Sequence, residues 1–139
     1  MAMWSVAGRS SRLPVVRSYA SLTGIARWGK AMAKHVLLVF SNPTEGAEDE
    51  YNRWYNEVHL PEVVQTDGFV SARRFKFDDG ASGVVEQRYL AIYEVDSDDV
   101  ELAKKALGQA AGSYHMSGAF DVKTAKVAWA SAVSDLVER

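Results

Sequence analysis

Between residues 34 and 131 the hydrophobic period switches repeatedly between strand and helix, and the order of the switches constrains the fold more than any other feature. Residues 36–40 form a continuous apolar run closed by Ser41-Asn42-Pro43-Thr44, the pattern of a buried strand ending in a turn. Tyr51, Trp54, Tyr55 and Val58 then recur at helical spacing, so one helix face carries large rings while Asn52, Arg53, Asn56 and Glu57 flank it. Thr44 is the expected N-cap, and Glu45, Glu48, Asp49 and Glu50 suit the positive end of that helix. The helix is expected to run to about His59, where Pro61 lacks an amide donor and disfavours helical geometry at Leu60, so that a kink or a new short turn follows.

Gly68 marks the exit from this region. Residues 69–77 and 86–95 read as two strands of a hairpin, joined by a polar loop that holds Asp78-Asp79-Gly80 and Ser82-Gly83. Tyr89, Ala91, Tyr93 and Val95 share one face of the second strand, with Leu90 and Ile92 on the other. Ser97-Asp98-Asp99 supplies a cap for a second helix whose buried side is Val100, Ala103, Ala106, Leu107 and Ala110, ending near Gly112. A glycine-bounded loop carrying His115 leads to a last strand over residues 121–131, with Val127 and Trp129 on one face.

The order is therefore βαββαβ, which predicts an α+β ferredoxin-like fold: a four-stranded antiparallel sheet with two helices on one face. The strands are apolar on both faces, whereas a sheet with one face in water alternates cleanly. Something must cover the second face, and another copy of the same sheet is the economical cover. A homodimer is the resulting expectation.

Charge separates the front of the chain from its body. Residues 1–31 contain Arg9, Arg12, Arg17, Arg27 and Lys30 and no acid, while the rest holds 11 basic and 18 acidic residues. Three readings of this Ser-rich leader compete: an organellar targeting segment, a plain disordered tail, or a mis-assigned start with Met32 as the true first residue. The expected division is thus a leader at 1–31 and one domain at 32–139, since 139 residues at 47% hydrophobic content make room for one core. The acidic body argues against nucleic acid. No apolar run approaches the ~20 residues a bilayer requires, so the expected setting is a soluble, cytoplasmic protein unless the leader directs import.

The residues then carry a resemblance. Asn52-Arg53-Trp54-Tyr55-Asn56-Glu57-Val58-His59-Leu60-Pro61-Glu62, followed by Gly68-Phe69-Val70-Ser71-Ala72-Arg73-Arg74-Phe75, resembles the EthD-like members of the dimeric α+β barrel superfamily. The resemblance covers roughly residues 34–131 in element order, with its specific motif confined to 52–75. It implies two ferredoxin-like subunits packed sheet to sheet, with a pocket in each between sheet and helices. Relatives of this architecture include polyketide cyclases, lactone isomerases, cofactor-free monooxygenases and haem-handling enzymes, so fold does not fix function.

His59 stands where the motif places its histidine, and the resemblance implies that it acts as a general acid or base on an acidic C–H or phenol. Imidazole titrates near neutrality, and Asn52, Asn56 and Tyr55 lie within two turns as partners; the competing reading is a helix-end contact to a backbone carbonyl. Arg73 and Arg74 point to opposite strand faces, so at most one enters a given pocket. Either arginine could hold a carboxylate or enolate there, and Arg73 joins the candidate set, against the alternative of an ion pair with Glu86, Glu94 or an edge-strand charge. Asn52, Tyr55, Tyr89, Tyr93 and Trp129 complete the candidate substrate-binding set, with the three last also fitting a core or an interface.

The chain has no cysteine, and His35, His59 and His115 lack the i, i+4 spacing that brings two ligands together. No metal and no cofactor is expected, and no motif supports haem ligation by those histidines. Two functions follow. One is a cofactor-independent cyclase, isomerase or lyase acting on a small aromatic, polyketide-like or lactone substrate. The other is a non-catalytic dimeric binding protein that holds a hydrophobic small molecule in the same pocket.

Overall fold

The computed structural model describes residues 34–78 and 83–139, so the basic leader and the alternative start at Met32 lie outside the described residues. Residues 34–132 form one unit, built as β1 (His35–Ser41), α1 (Glu48–Trp54), a π-helical turn (Tyr55–His59), α2 (Leu60–Val64), β2 (Phe69–Lys76), β3 (Tyr89–Val95), α3 (Val100–Ala110) and β4 (Lys126–Ser131). All pairings are antiparallel and the strand order is β2-β3-β1-β4, the ferredoxin-like arrangement predicted from the period changes. β1 and β3 are central because each is apolar on both faces.

The helix-facing side of the sheet is the core. Leu37 of β1 and Tyr89, Ala91, Tyr93 and Val95 of β3 are buried there against Tyr51, Trp54 and Tyr55. Burying side chains of this size contributes roughly 1.5–3 kcal/mol each. Tyr51 is the hub. Its ring meets Tyr55, Tyr89 and Phe120 at 5.2–6.4 Å, and its hydroxyl shares a 2.6 Å hydrogen bond with Ser41 Oγ. Phe120 comes from the segment before β4, which the bridge between Pro43 and Phe120 ties to the turn after β1.

Gly68 turns the chain from α2 into β2 at φ 93°, a left-handed conformation that favours glycine. Its carbonyl accepts from Asp96 N–H at 2.8 Å, and Ala103 of α3 packs directly above it. Asp99 caps α3 by accepting from Glu101 N–H at 2.9 Å, as expected from the Ser-Asp-Asp run.

Several boundaries differ from the sequence reading. α1 starts at Glu48 behind Ala47, and Thr44 acts through its backbone carbonyl, which accepts from Ala47 N–H, rather than as the cap. β3 begins at Tyr89 and not at 86. β4 begins at Lys126, because Asp121 folds residues 121–124 into a turn by accepting from Lys123 N–H and Thr124 Oγ1. The helix reaches His59 through the π-turn, and the short turn expected at Pro61 is α2, which continues it to Val64.

The other sheet face carries Val36, Leu38, Phe40, Leu90 and Ile92, all half-buried, with Phe75 44% exposed. Phe40 and Phe77 stack there, centroids 6.3 Å apart. No helix of the described residues is long and apolar enough to cross a membrane.

Candidate functional site

The π-turn is the local feature from which the site is built. Proline at 61 has no N–H for the carbonyl of Glu57 and its ring crowds that carbonyl, so a regular α-turn cannot pass through it. The chain inserts one residue instead, and Leu60 N–H bonds Tyr55 O, five residues back. Such insertions are rare and concentrate at functional sites. Here the wider turn brings His59 beneath Trp54, their rings stacked at 4.7 Å and 20°.

His59 is enclosed by aromatic rings. Tyr55 meets it edge-on at 5.2 Å and Tyr114 at 5.8 Å. Its Nδ1 is buried and has no hydrogen-bond partner among the described residues. Burial lowers its pKa to about 4, opposed in part by the charge of Glu62, so the ring is neutral at physiological pH.

Glu62 also clamps the loop above. It accepts His115 N–H at 2.8 Å and pairs with His115 Nδ1, and Trp54 Nε1 donates to His115 O at 2.7 Å. Tyr114 is thereby held against His59, and its hydroxyl bonds Thr66 Oγ1. His115 itself remains largely in solvent, and the hydrogen bonds from its ring and its backbone N–H hold the Glu62 carboxyl below the usual range.

A second group of side chains lies between α1 and the sheet. Arg74 reaches from β2 across to the helix, where Nη2 donates to Asn52 Oδ1 and Nη1 to Asn56 Oδ1, both at 2.8 Å. Its guanidinium lies over the rings of Tyr55 at 4.3 Å, Tyr51 at 5.0 Å and Tyr89 at 5.1 Å. Asn52 Nδ2 donates to the Tyr89 hydroxyl at 3.2 Å, and that hydroxyl donates to Glu48. The Tyr89 and Arg88 hydrogen bonds hold the Glu48 carboxyl below its ordinary range.

Tyr55 and Tyr93 meet below Arg74. Both side chains are almost fully buried, and neither hydroxyl has a hydrogen-bond partner among the described residues. Burial pushes the Tyr55 phenol up to about 12 and raises that of Tyr93 further, so both stay protonated.

Of the residues singled out in the sequence, Asn52, Tyr55, Tyr89 and Tyr93 therefore converge around Arg74, and His59 adjoins them through its edge-on contact with Tyr55. Arg73 does not join them: it is exposed on the opposite sheet face. Counting by two from buried Phe69 would bring Arg73 inward, but a bulge between Phe69 and Ser71 inserts one residue and turns Arg74 inward instead. Trp129 stands apart, edge-on to Phe69 at 6.2 Å with Lys104 over its ring. Tyr51, Tyr114 and Glu62 join the site without a sequence signal for that role: the helical aromatic stripe marks Tyr51 as core, and nothing local marks Tyr114 or Glu62.

A family model described as a domain of unknown function, DUF4286, matches residues 35–103, from β1 into the first turn of α3. No curated protein matches the chain. Among solved structures it is similar to a "putative monooxygenase" from Shewanella loihica PV-4, at 18% identity and TM-score 0.44, over 76% of this chain and 100% of that one. It is also similar to an ethyl tert-butyl ether d (EthD) family protein from Bacillus halodurans C-125, at 14% identity and TM-score 0.49, over 73% and 100%. The second carries the family name that the motif at 52–75 resembles. Neither likeness says anything of chemistry, and the fold assignment rests on this chain's own strand order.

Proposed function

We propose that the chain is a cofactor-independent enzyme of the cyclase, isomerase or lyase kind, acting on a small aromatic, polyketide-like or lactone molecule held between helix and sheet. His59 is its general acid and base, and Asn52, Tyr55, Tyr89 and Tyr93 contact the substrate. One observation carries the reading: a neutral imidazole whose Nδ1 is buried, unpartnered and fixed in place by Trp54, Tyr55 and Tyr114.

A buried polar atom left without a partner is costly, and functional sites are where such costs recur. In the tautomer that carries its proton on Nε2, the Nδ1 lone pair can take a proton from an acidic C–H or phenol, and the resulting imidazolium returns it to carbon or oxygen in the product. A pKa of about 4 makes the isolated ring a weak base. The negative charge left on the substrate lies beside the new imidazolium and offsets that weakness within the pair.

The same low pKa favours a second reading, a binding protein in which His59 only hydrogen-bonds its ligand. Assays of phenolic ketones, β-diketones and five-membered lactones with His59→Ala separate the two. Turnover should fall roughly a hundredfold or more while binding persists. Unchanged turnover would remove His59 from the chemistry, and binding without any turnover in the unaltered protein would favour the second reading.

The proposal extends to assembly. A second copy is the expected cover for Val36, Leu38, Phe40, Leu90 and Ile92, since an apolar face of this extent is rarely left in water. Arg73 and Glu94 add opposite charges on that face.

A further inference from the structure

We propose that Arg74 Nε, Tyr55 OH and Tyr93 OH together receive one anionic oxygen of the ligand, a carboxylate, enolate or phenolate, which makes the ligand an acid rather than a neutral hydrophobe. This rests on the reading that a small molecule occupies the helix–sheet layer, and it adds the class of that molecule.

Arg74 Nε is buried and without a hydrogen-bond partner among the described residues, as are the two hydroxyls. A guanidinium N–H can only donate. Both tyrosines stay protonated over the physiological range and so have a proton to give. The Tyr55 and Tyr93 hydroxyls lie beside each other under the guanidinium, and even when one donates to the other, one hydroxyl proton and the Arg74 Nε–H are left without an acceptor.

Charge points the same way. The partners of Arg74 are two neutral amides and three ring faces, and no carboxylate of the described residues is within ion-pair distance of it. Glu48, the acid nearest this group in the network, is occupied by Tyr89, Arg88 and Lys76. A half-buried positive charge held by aromatic faces and amides keeps its preference for an anion. The three donor atoms are closed to solvent, while the Arg74–Asn56 hydrogen bond on the same guanidinium is exposed.

The test compares benzoate with its neutral isostere benzamide by calorimetry, and follows 4-nitrophenol, whose visible absorbance reports its ionisation. Tyr93→Phe and Tyr55→Phe remove only a hydroxyl and keep the ring, so both should fold. The full chain should bind benzoate at least about tenfold more tightly than benzamide and lower the apparent pKa of bound 4-nitrophenol, and each Phe variant should lose about tenfold in benzoate affinity, the scale of one hydrogen bond to a charged group. The melting temperature of each variant should be unchanged or higher, because a hydroxyl without a partner has been removed. Equal binding of benzoate and benzamide would overturn the anionic assignment while leaving the small-molecule reading intact. A lower melting temperature with unchanged benzoate affinity would do the same, by showing that the two hydroxyls serve the fold. Failure of all three probes to bind would overturn both readings.

Discussion

At the scale of single residues, packing and protonation oppose each other at His59. An imidazole of ordinary pKa near 6.5 in the unfolded chain falls to about 4 in the fold, so the unfolded state binds the proton first. Stability should therefore be lost as pH falls from about 6.5 towards 4, by an amount whose upper bound is on the order of 3 kcal/mol. Urea unfolding of the unaltered protein and of His59→Gln at pH 7, 5.5 and 4.5 isolates this share. Parallel pH profiles for the two would show that the ring titrates freely. His59 was legible in the sequence because it closes an aromatic stripe, but the inward arginine was not. Alternation says that Arg73 and Arg74 diverge, and only the unpaired residue between Phe69 and Ser71 decides which of them meets the tyrosines.

The element of most consequence is the helix that runs through Pro61. Its π-turn is a local answer to a missing amide and a crowded carbonyl, and His59 points inward because of it. In Pro61→Ala the new N–H can reach Glu57 O, the turn can tighten to α, and a one-residue change of register rotates His59 by about 100°. The variant should gain about 1 kcal/mol, the scale of one added hydrogen bond, and lose most of its turnover. Thermal melts and assays on the same preparation check this, and a stable variant with full turnover would separate the π-turn from function. The strands and helices themselves could be read from their periods. Their ends could not, because Asp121 and Ala47 set them through turns whose partners are fixed only once the chain has folded.

For the molecule as a whole, the uncovered sheet face is the feature with the largest expected effect. Sedimentation at micromolar concentration should give a dimer. Ile92→Glu, which places a charge at a half-buried position of central β3, should give a folded monomer with unchanged near-UV circular dichroism. A protein beginning at Met32 should sediment like the full chain. An unaltered protein that stays a stable monomer would refute the assembly.

The strand order has one more consequence, and it concerns time. β1, the first strand of the described chain, is flanked on one side by β4, the last, and His35 bonds Ser131 across 96 positions of sequence. A sheet whose middle is completed by its most distant segment must close a long loop before the pairing is rewarded, which makes the docking of β4 slower than the hairpin pairing of β2 and β3. Until β4 docks, one edge of β1 is unpaired, and chaperone capture or mispairing between nascent chains competes with folding at that edge.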